Sequence, residues 1–119
     1  MLSAKRVLIV EDQLDSAQSL AALISVLGHT PKYVTNPLEA LSTAKEFRPE
    51  IALMDIGMPG LNGWEVVRMF RQDPLFRSLK IFALTAYSHK EDLQRSQEAG
   101  FDRHLTKPIS TAQLEELLS

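Results

Sequence analysis

Three short apolar runs in this chain lead straight into a chemically capable polar group, and a fourth segment, bounded by Phe101 and Leu105, lies just before another. Val7-Leu8-Ile9-Val10 runs into Glu11-Asp12, Ile51-Ala52-Leu53-Met54 into Asp55, and Ile81-Phe82-Ala83-Leu84 into Thr85; the segment over 101–105 is followed two residues on by Lys107. Runs that are apolar throughout, rather than alternating, are the pattern of strands buried on both faces of a parallel sheet. Parallel strands all point the same way, so the residues that follow them gather at one edge. Open α/β sheets hold their ligands at that edge. Three carboxylates, a hydroxyl and an ammonium would meet there.

The segments between the runs carry helical punctuation. Asp15 is placed to cap a helix reaching about residue 27, with Leu20, Leu23, Ile24 and Leu27 at helical spacing and Gly28 ending it. Residues 31–35 read as a short strand. Asn36-Pro37 has the cap-then-proline order of a helix start, with Leu38, Leu41 and Phe47 turned inward. The central strand covers 50–54. Residues 60–63, within the Pro/Gly-rich stretch 57–63, form a loop, and 64–71 a helix whose apolar stripe is Trp64, Val67 and Phe70. Asp73-Pro74 breaks that helix. A strand over 79–84, a mostly polar helix over 89–99 stopped by Gly100, a strand over 101–105 and a last helix capped by Ser110, with Leu114, Leu117 and Leu118 apolar, complete five βα units. This alternation predicts an α/β protein with helices on both faces of a parallel sheet. It continues without a linker from 1 to 119, so the chain reads as a single domain, long enough for one core.

Composition narrows the function. Hydrophobic residues make up 45% and charged residues 24%, as in ordinary globular chains. A net charge of −2 announces no basic surface for nucleic acid. The absence of cysteine removes disulfides and thiolate metal centres. The first apolar run is four residues followed by acids, too short for a signal peptide or a membrane span, which leads to the expectation of a cytoplasmic protein with no membrane contact.

Glu11, Asp12 and Asp55 would repel one another at a common edge unless a cation neutralised them. Singly, each reads as a solvated acid after a strand. Together, with two adjacent, they favour a hard divalent ion such as Mg²⁺, which keeps several waters and takes only one or two carboxylates directly. Thr85 can donate to a phosphoryl oxygen. Lys107, biased toward an extended conformation by Pro108, can pair with Asp55 at rest and with a phosphoryl oxygen afterwards. The Lys107-Pro108 bond is expected trans, as most such bonds are. His104 lies three residues before Lys107, on the opposite face of a strand, and reads as a partly buried surface or switch residue rather than a catalytic base. The three histidines show no metal-ligand spacing, and Gly60 and Gly63 fit no phosphate-cradling pattern.

In order and spacing, Glu11-Asp12, Leu53-Met54-Asp55-Ile56-Gly57-Met58-Pro59-Gly60-Leu61-Asn62-Gly63, Thr85-Ala86 and Lys107-Pro108 resemble the receiver domain of two-component response regulators over nearly the whole chain. The resemblance implies a flavodoxin-like (βα)5 three-layer sandwich with a parallel five-stranded sheet of order 2-1-3-4-5. It implies that Asp55 is the phosphoacceptor, that Asp12, Asp55 and the backbone carbonyl of Gly57 ligate Mg²⁺ with Glu11 acting mainly through water, and that Thr85 and Lys107 hold the phosphoryl oxygens. The donor would be a phosphohistidine on a sensor histidine kinase or a phosphotransfer domain. Movement of Thr85 would bias the face built from the helix over 89–99, the last strand and the last helix. Such a domain is a self-modifying switch, not a metabolic enzyme, working as a monomer or weak dimer without direct nucleic-acid contact.

Two departures stand out. His104 occupies a switch position that often holds Tyr or Phe in the family, and an imidazole there can carry charge. Tyr87 stands where the family borders the acyl phosphate, so its bulk could restrict attacking water. The stretch 98–108 is most similar to receivers attached to hybrid sensor histidine kinases, and the chain stops at Ser119 directly after the last helix, as either a stand-alone receiver or a domain of a longer protein would. Three rivals fit less well. Phosphatases of the haloacid dehalogenase type carry an acid two residues after the nucleophile, where this chain has Gly57, and their acidic pair comes late. A phosphorylation-independent pseudo-receiver would have lost some of the five groups. A flavin-binding flavodoxin would set Glu11-Asp12 against the flavin phosphate.

Overall fold

A computed structural model of the chain describes residues 4–56, 63–85, 94 and 97–119. Five strands form one parallel sheet: β1 (Arg6–Val10), β2 (Thr30–Val34), β3 (Ile51–Asp55), β4 (Lys80–Thr85) and β5 (Arg103–Thr106), in the order β2-β1-β3-β4-β5. This is the order that the resemblance implies. Helices α1 (Leu14–Val26), α2 (Ala40–Phe47), α3 (Gly63–Gln72) and α4 (Thr111–Leu118) join or follow the strands. Residues 60–62 of the expected loop and most of the helix expected over 89–99 lie outside the described residues; Gly63, expected in the loop, opens α3 instead, and residues 94 and 97–99 are helical.

The uniformly apolar strands are explained by parity. Along β1, Val7 and Ile9 face one side and Leu8 and Val10 the other, and all four are fully buried. Leu8, Val10, Ala52, Met54, Ile81 and Ala83 pack into one core layer with Val66, Val67 and Phe70 of α3 and Ala40 and Ala44 of α2. Val7, Ile9, Leu53, Phe82, Leu84 and Leu105 pack into the other, with Ile24 of α1 and Leu114, Leu117 and Leu118 of α4. A strand covered on both faces has no polar position, so alternation disappears. Pro31 is tolerated inside β2 because that strand is at the sheet edge.

The helix ends follow local chemistry, with two corrections. Helix α1 begins at Leu14, with Gln13 and not Asp15 at the cap position and no side-chain cap bond. Ala17, fully buried, must face the sheet, and its N–H bonds Gln13 O at 2.9 Å, which pulls the start forward. Asp15 then sits in the first turn, where a negative charge suits the helix dipole. The second correction is Leu38, expected inward but 69% exposed. Asn36 does cap the segment, accepting from Leu38 N at 3.0 Å, but the first turn, Pro37–Glu39, is 3₁₀. Its tighter winding rotates Leu38 off the inward face, and Ala40 and Ala44 take that face instead. Ser110 caps α4 as expected, in a capping box with Gln113.

Gly28 and Gly100 both hold positive φ, +92° and +121°. A side-chain carbon on Gly28 would meet nothing within 4 Å, whereas on Gly100 it would lie 2.8 Å from Arg71 Cγ. That carbon is near the root of a side chain pinned at its far end, so it cannot swing away. Gly28→Ala is therefore expected to cost about 1 kcal/mol from backbone conformation alone. Gly100→Ala should cost about 3 kcal/mol, because overpacking adds to the same conformational term. Urea unfolding of both variants checks this; equal losses would mean that the Arg71 stem yields freely.

Candidate functional site

The carboxyl edge of the sheet is extended by one backbone bond at each of three strands. Glu11 N–H donates to Val34 O at 3.1 Å, Ile56 N–H to Leu84 O at 3.2 Å and Lys107 N–H to Thr85 O at 2.7 Å. Asp55 pairs in register with Leu84, and Thr85 with Thr106. Glu11, Asp55, Thr85 and Lys107 thus hang from a hydrogen-bonded frame rather than from free loops. Among the described residues, Glu11 (4% exposed), Asp55 (9%) and Thr85 (1%) are the buried polar side chains; Asp12 and Lys107 are half-buried. A charged or hydroxylic group is buried at such a frame only when something there repays its desolvation.

Part of that repayment is Lys107. Its Nζ donates to Asp55 Oδ2 at 3.0 Å and to Glu11 Oε2 at 3.4 Å. The pairing with Asp55 is the one expected from sequence; the second partner, Glu11, was not. Burial pushes the Lys107 ammonium downward, but the hydrogen bonds and charges of Asp55 and Glu11 outweigh it and hold it above its ordinary value. One cation does not balance three acids. Burial, followed by the hydrogen-bond contact and the negative charge of Asp55, pushes the Glu11 carboxyl up from 4.5 to about 7, against the pull of Lys107.

One carboxylate oxygen from each of Glu11, Asp12 and Asp55 lies within 4.8 Å of the others. That spacing and an all-oxygen donor set fit a small hard cation, and a divalent ion would offset the burial and the neighbouring Asp55 that hold the Glu11 carboxyl up. Beside the acids an open groove of about 520 Å³ runs from Glu11 and Lys107 over Leu20, Leu23, Leu84 and Ile109.

The sheet therefore brings together Glu11, Asp12, Asp55, Thr85 and Lys107. Gly57 and Tyr87 lie outside the described residues. His104 is half-buried in β5, in register with Ala83 and on the face opposite Leu105. The Lys107-Pro108 peptide is cis, contrary to the expectation. The preference for trans before proline is small, so the surroundings of a particular bond decide it. The sequence reading also passed over Arg71 and Asp102, which join at 2.8 Å far from the acids. The run of an Arg in the last turn of a helix and an Asp two residues after a Gly was the available signal.

A family model described as the response regulator receiver domain matches residues 7–119. The polar-differentiation response regulator DivK of Brucella anthropi is 35% identical over 114 residues, covering 96% of this chain and 93% of that protein. Among solved structures, chemotaxis protein CheY4 of Vibrio cholerae superposes with a TM-score of 0.91 at 25% identity, covering 98% of this chain and 97% of that one. The receiver domain of sensor histidine kinase PA1611 of Pseudomonas aeruginosa, a structure with a magnesium ion coordinated in its active-site cleft, superposes with a TM-score of 0.88 at 29% identity, covering 98% and 95%. Family model, relatives and fold agree, and this chain belongs to the response regulator receiver domains of two-component systems.

Proposed function

We propose that residues 1–119 act as one cytoplasmic receiver domain that takes a phosphoryl group onto Asp55 from a phosphohistidine, on a sensor histidine kinase or a histidine phosphotransfer domain, and thereby changes partner binding. The observation that carries this reading is the contact of Lys107 Nζ with Asp55 Oδ2 at 3.0 Å, set beside three convergent carboxylates and the buried Thr85. An aspartate held this way presents one fixed oxygen to the lysine and leaves the carboxylate facing the open edge.

In the transfer, an oxygen of Asp55 attacks phosphorus, the bond to the donor imidazole nitrogen breaks, and the imidazole leaves with its electron pair. Charge spreads over the three equatorial oxygens, so positioned cations and donors supply most of the acceleration. Lys107 follows the charge from the carboxylate to a phosphoryl oxygen, and the Thr85 hydroxyl donates to a second. Glu11, Asp12 and Asp55, with the Gly57 carbonyl, are the groups to hold Mg²⁺, which when bound neutralises charge on the transferring group. Water attacking the same phosphorus reverses the mark, and Tyr87 would limit its approach. Displacement of Thr85 toward the phosphoryl group frees room on its side of the sheet, which His104 senses at the face seen by partners. The open groove beside Lys107 suits the side chains around a protein-borne phosphohistidine better than a small free donor.

The test is the intact mass of the protein after incubation with acetyl phosphate and Mg²⁺, beside Asp55→Asn, with a phosphorylated histidine phosphotransfer domain as a second donor. Gain of one phosphoryl group, dependent on Mg²⁺ and absent in Asp55→Asn, is the expected result. No gain from either donor in the folded, Mg²⁺-binding protein would overturn the phosphoacceptor assignment.

A further inference from the structure

At the edge of the sheet opposite the acids, one side chain ties three chain segments together. Arg71, in the last turn of α3, donates through Nε to Gly100 O at 2.9 Å and through Nη1 to Phe76 O at 2.9 Å and Leu79 O at 2.7 Å, with Arg77 O at 3.3 Å. Its Nη2 meets Asp102 Oδ2 at 2.8 Å. The same Asp102 oxygen accepts from Ile81 N of β4 at 2.8 Å, and Asp102 N donates to Ile81 O at 2.8 Å. Gly100, at φ +121°, lets the Arg71 stem lie directly against the backbone. The arginine side chain is only 20% exposed, so these bonds are screened little.

This knot sits where β5 begins. The ladder between β4 and β5 has four register pairs, from Phe82↔Arg103 to Thr85↔Thr106. Its upper end is Thr85, at the site; its lower end is the Arg71 knot. Thr85 and Gly100 are also the two ends of the connection 86–99. A displacement at one end of a connection is expressed along it only if the other end is held. Otherwise the lower end slides and the change is absorbed locally. Fixed ends are what make a packed element respond as one body.

We propose that Arg71, acting through Gly100 and Asp102, is a positioning residue for the switch: it fixes the lower end of β5, so that a change at Thr85 is expressed over 97–106 instead of being lost there. The proposal rests on the receiver reading above. It separates two properties that share this domain. Chemistry at Asp55 depends on the upper edge of the sheet, and transmission depends on the lower one.

The experiment is hydrogen–deuterium exchange of the whole chain with and without acetyl phosphate and Mg²⁺, with intact mass recorded on the same samples, for wild type, Arg71→Lys and Asp102→Asn. Lysine keeps the charge and loses the fork; asparagine keeps an acceptor for Ile81 N–H and loses the charge. The expected result is one phosphoryl group on all three proteins. The phosphorylation-dependent change in exchange over 97–106 should be present in wild type and reduced at least about fivefold in both variants, the lower end of ordinary coupling between sites. A merely structural clamp would raise exchange equally in both states and leave the difference intact, which would overturn the proposal. So would a wild type without any difference over 97–106, or folded variants that fail to take the phosphoryl group. A wild type that takes no phosphoryl group from acetyl phosphate or from a phosphorylated histidine phosphotransfer domain would overturn the phosphoacceptor reading, and this one with it.

Discussion

Lys107→Met is expected to slow phosphoryl transfer to Asp55 by about 10²–10³, the cost of removing one positioned charge donor from a transition state. The substitution keeps the length of the stem and removes the ammonium that touches Asp55 Oδ2 and Glu11 Oε2. A second effect runs the other way. The ammonium and a divalent ion draw on the same carboxylates, so Lys107→Met should bind Mg²⁺ more tightly, by about tenfold for a neighbouring unit charge in a well-solvated site. Quenched-flow transfer from acetyl phosphate and calorimetric Mg²⁺ titration measure the two separately. Slower transfer with tighter Mg²⁺ would assign Lys107 to the transferring group. Slower transfer with weaker Mg²⁺ would mean that Lys107 supports the metal site instead.

Stability of the Mg²⁺-free domain should fall as pH rises from about 4.5 to about 7. Glu11 ionises near 4.5 in an unfolded chain, but burial and the adjacent Asp55 push it up to about 7 when folded. Between these values the folded state binds more protons than the unfolded state, so raising pH favours unfolding. The loss is absent below about 4.5 and complete above about 7, and amounts to up to about 3 kcal/mol for a shift of this size. Mg²⁺ reverses it by stabilising the ionised cluster. Because a proton must leave, Mg²⁺ affinity should rise about tenfold per pH unit up to pH 7 and then level off. Glu11→Gln removes the titrating group and should flatten both curves. Thermal unfolding in chelator and Mg²⁺ titration from pH 5 to pH 8 check this; a pH profile unchanged in Glu11→Gln would assign the proton to another group.

Much of this domain is legible in the chain because the relevant physics is local or repetitive. The runs 7–10, 51–54 and 81–84 became strands because a parallel strand covered on both faces tolerates no polar residue, and Glu11, Asp12, Asp55 and Thr85 are the first or second residue after such a run; the mixed segment 101–105 leads to the edge strand β5, and Lys107 follows it. Ser110 with Gln113 and Asn36 with Pro37 announce helix starts through bonds formed within three residues. The two misplacements, Asp15 as a cap and Leu38 as an inward residue, came where a short-range signal yielded to a long-range one. The burial of Ala17 moved one helix start, and a 3₁₀ first turn rotated the other.

By itself the sequence determined the order of elements, the direction of the sheet and the set of groups at its carboxyl edge, since period, punctuation and spacing are properties of short windows. Only the tertiary structure decided how those groups share charge. Glu11 became a second partner of Lys107 because residues 11, 55 and 107 meet at three different strands' ends, and burial there, with Asp55 beside it, pushed its carboxyl up to about 7 against the pull of Lys107. The Arg71 knot is the same kind of fact. Its bonds reach from residue 71 to residues 79, 100 and 102, and no window of sequence contains the space in which an arginine side chain crosses a glycine.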